Sequence, residues 1–157
     1  MAKKKAHDNN YLATNNKARY NYAIGETFEA GIELTGTEIK SVRASQINIA
    51  DGFVQIRNGQ AWLDNVHISL FAQGNQFNHE PLRSRRLLLH KQEIKKLADQ
   101  SAQAGKTILP LKVYLKRGFA KVLIGVGTGK HSFDKRETIK RRDQERDLRR
   151  ITKLKNR

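Results

Sequence analysis

The chain of 157 residues predicts a mostly β fold: a small closed or partly open barrel with peripheral short helices and a flexible basic tail. Three observations predict it. Alternating apolar runs turn back on themselves at Asn58-Gly59 and at Arg117-Gly118. Short helical patterns interrupt these runs instead of alternating with them. The last 25 residues, from Phe133, hold helix formers but almost nothing apolar to bury.

In GFVQIRNGQAWLDNVHIS, Val54 and Ile56 alternate with polar residues before Asn58-Gly59, and Ala61 and Leu63 resume after it. Both turn residues tolerate positive φ, which is the requirement of a type I′ hairpin. The apolar parity slips between Leu63 and Val66, which predicts a bulge near Asp64-Asn65. In LPLKVYLKRGFAKVLIGV, Leu109, Leu111, Val113 and Leu115 alternate up to Arg117-Gly118, and Ala120, Val122, Ile124 and Val126 alternate back. A further strand is expected through RYNYAIGETFEAGIEL and a short one at RRLLL, giving five or six in all. Thr35 and Glu38 have capping-box spacing and predict a helix over TGTEIKSVR. Ile94, Leu97, Ala98 and Ser101 share one helical face, and Gly105 is a natural stop. FAQGNQFNHEPLRSRR has no period and reads as a polar loop. Strand count, length and charge favour an OB-type barrel, with a sandwich as the alternative.

The net charge is +16, from 31 Lys/Arg against 15 Asp/Glu. Residues 1–20 carry five cations and one acid, residues 21–129 fourteen and nine, and residues 130–157 twelve and five. Over half of the excess therefore sits at the two ends, in the pattern of arms facing a polyanion; solvated tails are the plainer alternative. No run of about 18 apolar residues exists and no signal peptide is evident, so no membrane role is expected. Zero cysteines exclude disulfides and thiolate sites and suit a cytoplasmic protein.

Nothing in the chain spells catalysis. GVGTGKHS follows a strand, but a phosphate-binding loop would need Gly where Ile124 stands and Ser or Thr where His131 stands. The dinucleotide spacing fails at Lys130. Its glycines read instead as the place where the chain leaves the barrel and passes close to a phosphate backbone. His7, His67, His79, His90 and His131 lack metal spacing, no serine sits in a nucleophile elbow, and Asp51, Asp64 and Glu80 read as loop acids. The expectation is a binding protein, not an enzyme, without cofactor or metal. NNKARYNY interleaves amide, cation and aromatic residues and suits stacking on unpaired bases, or else is a basic strand lead-in. EPLRSRRLLLHK sets Arg83, Arg85, Arg86 and Lys91 around an apolar strand, as RNA contacts or as the charges of a solvated edge strand. Lys40 and Arg43 add a further positive site.

Four stretches, NNKARYNY, ETFEAGIELTGTEIKSVRAS, QGNQFNHEPLRSRRLLLHKQEI and GTGKHSFDKRETIKRRD, resemble in order the SsrA-binding (SmpB) family, the bacterial partners of transfer-messenger RNA. The resemblance runs from about Asn15 to the C-terminus. It implies an OB-type barrel that binds the tRNA-like domain of that RNA near its D-loop and elbow. It further implies delivery of the charged RNA, with elongation factor Tu and GTP, to stalled ribosomes, followed by tagging of the nascent chain. By the same resemblance Asn16 is an RNA contact with Lys17 and Arg19 behind it, and Glu29, Leu88 and His90 are RNA-site residues. Gly129 and Lys130 mark the hand-over to the tail, Asp134, Lys135 and Arg136 the triplet needed for tagging, and Ile151 an apolar tail position. Tyr20 stands where many members carry His, preserving stacking. Gln144 replaces a common Trp, and Thr152 a common apolar residue.

The expected organisation is a flexible N-terminus over 1–14, an RNA-binding barrel over 15–130 and a basic tail over 131–157, in a monomer. Within the tail, Glu137 with Arg141 and Glu145 with Arg149 are helical pairs worth roughly 0.2–0.5 kcal/mol each, while Asp143 and Asp147 repel. Such small terms do not overcome ordering entropy without a packed face. The tail is therefore expected to be disordered when free and to turn helical on the ribosome, in the vacant mRNA channel and decoding centre. Two other classes stay open at this point: a basic ribosomal structural or assembly protein, and an enzyme acting on RNA.

Overall fold

The computed structural model describes residues 11–72 and 78–130, with positions 144 and 146. Over residues 11–130, as far as they are described, nine strands and three helices follow the order β1 (Tyr11–Thr14), α1 (Asn16–Asn21), β2 (Tyr22–Ile32), α2 (Gly36–Arg43), β3 (Ile47–Asn48), β4 (Phe53–Arg57), β5 (Gln60–Asp64), β6 (His67–Ile68), β7 (Arg85–Leu88), α3 (Lys91–Ser101), β8 (Lys106–Lys116) and β9 (Phe119–Gly129). Six strands close into a ring, β8-β4-β5-β7-β2-β9, because β9 pairs with β2 on one edge and β8 on the other. The chain is thus the mostly β, ring-closed protein with few short helices that its sequence predicts. β1 joins β8 from outside the ring, and β3 with β6 forms a separate two-stranded ladder.

Both predicted hairpins are present. Asn58 and Gly59 lie at φ +51° and +72°, and Arg117 and Gly118 at +53° and +81°. Each turn has positive φ at both central residues, as a two-residue hairpin with right-handed strand twist requires. The inward residues Ala61, Leu63, Leu87, Val113, Val122 and Ile124 are almost wholly buried and fill the ring. The capping box at Thr35 forms: its N–H donates to Glu38 Oε1 at 2.8 Å and starts α2.

Four expectations change. The stretch 16–21 is a helix, not the start of a strand. The reason is Asn15, whose Oδ1 accepts from the Ala18 N–H at 3.0 Å while Ala18 is buried. Pairing begins at Tyr11, inside the segment expected to be flexible, because Tyr11 stands edge-on to Tyr114 and Leu12 and Ala13 pack on the core. At Asp64-Asn65 the chain breaks into two strands instead of bulging. Asn65 takes φ +58° and its Nδ2 donates to the Asp51 carbonyl at 3.0 Å. RRLLL is no solvated edge: β7 lies between β5 and β2, pairing Ala61 with Leu87 and Gly31 with Leu88.

Candidate nucleic-acid interface

Most of the residues expected to contact RNA gather at two poles of one ladder, while Lys40 stands apart on α2 over Phe71. β2 and β9 pair from Tyr22–Gly129 to Gly31–Lys121. At about 3.3 Å per residue the poles stand about 26 Å apart along β9. Asn16, Lys17, Arg19 and Tyr20 on α1 meet Gly129 and Lys130 at the first pole, although more than a hundred residues separate them in the chain. Lys130 is fastened there: its N–H donates to the Asn21 carbonyl at 2.9 Å and its Nζ to the Arg19 carbonyl at 3.0 Å. Lys17 donates from Nζ to Asp51 Oδ1 at 2.7 Å across an exposed pair, and this bond raises its pKa. A shallow cleft of about 300 Å³ opens beside it, lined by Lys17, Asn21, Tyr22, Asp51 and Phe53.

Asn15 holds this pole in place. It is 2% exposed, its Nδ2 donates to the carbonyls of Pro110 at 2.8 Å and Ile49 at 3.1 Å, and its N–H donates to the Leu111 carbonyl. The sequence offered only the doublet Asn15-Asn16, and nothing in it distinguished the buried cap from the exposed neighbour. Beneath α1, Ala18, Leu109 and Leu111 form a small second core joined by Tyr22 and Ile24. This core corrects the reading of the GVGTG glycines. A Cβ on Gly125 would stand 2.9 Å from both Ile24 Cγ2 and Leu111 Cδ1, and one on Gly127 would stand 2.9 Å from Tyr22 Cβ. Those two glycines let the helix and its apolar seat settle onto the sheet. Gly129 alone faces open space.

The second pole holds Glu29, Leu88 and His90, which line one open cleft of about 450 Å³ with Arg86 and Lys121. Glu29 is engaged on both oxygens: the Tyr114 hydroxyl donates to Oε2 at 2.5 Å and Lys116 Nζ to Oε1 at 3.2 Å. The Tyr114 bond is the main reason its carboxyl lies below the usual range, and burial with that bond raises the Tyr114 hydroxyl. Leu88 is 50% exposed, and the His90 N–H donates to Glu93 Oε1 at 3.0 Å at the start of α3. Lys40 stacks its ammonium over Phe71 at 5.3 Å, and Arg43 donates to the Gly118 carbonyl at 3.3 Å.

Arg85 is withdrawn from any RNA, and Arg83, with its side chain 38% exposed, is tied to the same internal carboxylate. Glu38, wholly buried, accepts from Arg85 Nε at 2.7 Å and from an Arg83 guanidinium nitrogen at 2.7 Å. Arg85, also wholly buried, donates its remaining nitrogens to the carbonyls of Val66, Glu80 and Pro81. Burial pushes the Glu38 carboxyl up, but the Arg83, Thr35 N–H and Arg85 bonds together bring it down to about 2. Alternation of Arg85 and Leu87 inward with Leu88 outward accounts for the burial, and the sequence did not show which parity faced the core. His79 is likewise internal. Its Nε2 lies 2.9 Å from the Ile68 carbonyl, which only accepts, so Nε2 carries a hydrogen, and its Nδ1 lies 2.9 Å from Thr37 Oγ1.

Among the described residues no cluster of three or more His, Cys, Asp or Glu could hold a metal ion, and no helix is long and apolar enough to cross a membrane. Asp134, Lys135, Arg136 and Ile151, and the helical form expected of their segment, lie outside the described residues.

Comparison with known proteins agrees over nearly the whole chain. The family model described as SmpB protein matches residues 12–154. An SsrA-binding protein of Ligilactobacillus salivarius is 67% identical over 153 residues, covering 98% of each chain. One of Leuconostoc mesenteroides is 69% identical over 148 residues, covering 94% of this chain and 96% of its own. A solved structure described as "tmRNA-SmpB: a journey to the center of the bacterial ribosome" superposes with a TM-score of 0.65 at 43% identity, covering 76% of this chain and 85% of that one. With its ring of strands, its two basic poles and a family match spanning both, the chain belongs to the SmpB family.

Proposed function

We propose that the protein binds the tRNA-like domain of transfer-messenger RNA (SsrA) and delivers it to stalled ribosomes for trans-translation, tagging of the nascent chain and ribosome rescue. The observation that carries this reading is the first pole. Asn16, Lys17 and Arg19 are brought beside Lys130 by folding alone, and Lys130 is pinned to the same helix by two hydrogen bonds. Relatives that bear the name SsrA-binding protein, and the likeness to a tmRNA-SmpB structure, support the RNA and the ribosome as partners. The protein acts by binding: cations meet phosphates, Tyr20 and the amide side chains meet unpaired bases, and no covalent step is assigned to any residue. It works in the cytoplasm as a monomer and meets elongation factor Tu and GTP only through the RNA. Residues 15–130 hold the RNA, while the tail over 131–157 enters the vacant mRNA channel and decoding centre, with Asp134, Lys135, Arg136 and Ile151 acting there.

The deciding experiment truncates the chain after Lys130 and measures two things. RNA affinity is expected to stay near that of the full chain, and tagging on truncated messages is expected to vanish. Loss of RNA binding would place the RNA site in the tail and overturn the division. Equal affinity for transfer-messenger RNA and bulk ribosomal RNA, at one stated salt concentration, would point instead to a ribosomal assembly protein.

A further inference from the structure

Glu29 stands on β2, and its side chain reaches across β9 to the outward residues of β8. Cross-strand pairing marks the path, with Glu29 opposite Leu123 and Lys121 opposite Tyr114. There the Tyr114 hydroxyl takes one carboxylate oxygen and the Lys116 ammonium the other. Tyr114 is itself braced. Tyr11 is its cross-strand partner and stands edge-on to it, ring centroids 6.1 Å apart, while the Lys112 ammonium lies over the Tyr11 ring at 4.4 Å. An unbroken series of contacts thus runs Lys112–Tyr11–Tyr114–Glu29 over β1, β8 and β2. None of Tyr11, Lys112, Tyr114 and Lys116 belongs to the sequence motifs that point to RNA.

An acid in a site for a polyanion has to find donors there, because it repels phosphate. The Glu29 side chain is 38% exposed, so its carboxylate meets solvent and whatever binds over it. The Tyr114 bond, ahead of the Lys116 bond, holds the carboxyl below its usual range and so keeps it ionised. Burial and the same bond push the Tyr114 hydroxyl up, so it keeps its proton and stays the donor. A carboxylate offers about four lone-pair sites on its two oxygens. Tyr114 and Lys116 each use one, on different oxygens, which leaves an acceptor on each. Lys116 and Lys121 stand close enough to lower the carboxyl by their charge, so two cations outweigh the one anion and phosphates can still approach.

Two adjacent acceptors select two adjacent donors. Guanine alone among the four bases presents them, N1–H beside N2–H, on its Watson–Crick edge. Adenine and cytosine set a bare ring nitrogen next to the amino group, and uracil flanks its one N–H with carbonyls, so each turns a lone pair toward the carboxylate. That edge is open to a protein only where the base is unpaired. The contact is made edge-on at the surface and displaces no side chain.

We propose that Glu29, aimed by Tyr114 and Lys116, reads a guanine: its two oxygens accept from N1–H and N2–H of one unpaired guanine of the bound RNA. The proposal rests on the RNA-binding reading and adds to it the base that Glu29 takes and the positioning residue, Tyr114, that aims it. Lys116, on a flexible stem and 57% exposed, does not fix the carboxylate alone.

The test uses the full chain and a transcript of the tRNA-like domain at one stated salt concentration. Kethoxal, which attacks N1 and N2 of unpaired guanine, locates guanines that the protein covers. Each covered guanine is then replaced in turn by inosine, which lacks the N2 amino group. At one position the wild type is expected to bind the inosine transcript about tenfold more weakly, the loss of one hydrogen bond to a charged group. Glu29→Gln, with one acceptor and one donor, is expected to weaken binding of the guanine transcript about 5- to 150-fold and to lose the preference over inosine. Tyr114→Phe keeps the ring against Tyr11 and is expected to weaken binding about 2- to 10-fold while narrowing that preference. Thermal melting checks that both variants fold. A Tyr114→Phe protein that binds both transcripts more weakly, with the wild-type preference intact, would make Tyr114 merely structural and overturn its positioning role. A wild type that prefers this RNA yet covers no guanine, or binds every inosine transcript as well as the original, would overturn the guanine reader alone. A wild type with no preference for this RNA would overturn the underlying reading and the reader together.

Discussion

Glu38 and Arg85 meet at 2.7 Å, carboxylate to guanidinium, with both side chains wholly buried. The pair ties α2, which carries Lys40 and Arg43, to β7, which presents Leu88. A contact formed deep inside the protein thus fixes the relative placement of residues at the second pole.

Breaking this pair is expected to destabilise the protein strongly. Glu38→Gln keeps the volume but leaves Arg85 charged and uncompensated, a defect that costs about 3–5 kcal/mol. Arg83→Ala should cost less, because the Arg83 side chain is 38% exposed and water replaces part of what it loses. Urea denaturation monitored by circular dichroism orders the two; an Arg83 variant as unstable as Glu38→Gln contradicts this account.

Acid should act through the same carboxylate. The folded-state pKa of Glu38, about 2, lies below its ordinary value of 4.5, so the folded form binds fewer protons between those values. Its stabilisation is complete above about pH 4.5 and is lost as pH falls through 2. Wild-type stability should therefore fall more steeply than that of Glu38→Gln from about pH 5 downward. Parallel curves would remove Glu38 from the acid response.

Asn15→Ala removes three side-chain bonds and leaves the carbonyls of Pro110 and Ile49 buried without that donor. Loss of the cap alone costs about 1 kcal/mol, and an unsatisfied buried group about 1–3 kcal/mol more. The expected signature is a lower melting temperature together with weaker RNA binding, since α1 carries Lys17 and Arg19. Asn16→Ala, at an exposed position, should change binding without changing melting.

Gly125→Val should lower stability by several kcal/mol, on the order of the 1–3 kcal/mol of overpacking plus the loss of the α1 seat. Its Cβ alone would stand 2.9 Å from Ile24 and Leu111. Gly129→Ala, facing open space, should fold normally. Equal melting temperatures for the two variants would return the glycines to the phosphate-contact role.

Lys17→Ala should leave thermal stability almost unchanged, because its bond to Asp51 is exposed to water. RNA binding should weaken, and the slope of log affinity against log salt should fall by about 0.7–0.9 if the ammonium leaves Asp51 for a phosphate. An unchanged slope would mean that Lys17 stays on Asp51 in the complex.

Local chemistry made much of this protein legible. Asn58-Gly59, Arg117-Gly118 and Thr35 with Glu38 each settle a turn or a helix start from a few adjacent residues, and all three hold. What failed was whatever depends on which parity of a short strand faces inward. RRLLL holds two arginines and three leucines, and only the ring decides that Arg85 and Leu87 go in while Arg86 and Leu88 go out. The helix at 16–21 was hidden because a six-residue helix carries too little period to announce itself. Its cap depends on carbonyls 34 and 95 residues away. Motif resemblance named Asn16, Glu29, Leu88 and Lys130, and folding adds that they occupy two poles.

Those poles hang on one pair of strands, joined from Tyr22–Gly129 to Gly31–Lys121 by hydrogen bonds of the backbone. The span between them is a caliper opening set by peptide geometry, which no side-chain change can widen or narrow. Point substitutions can blunt either jaw. β2 already carries one extra residue between Ile24 and Thr27, so to fit a partner of different width the paired strands would have to lengthen or shorten, moving the jaws about 7 Å for every two residues.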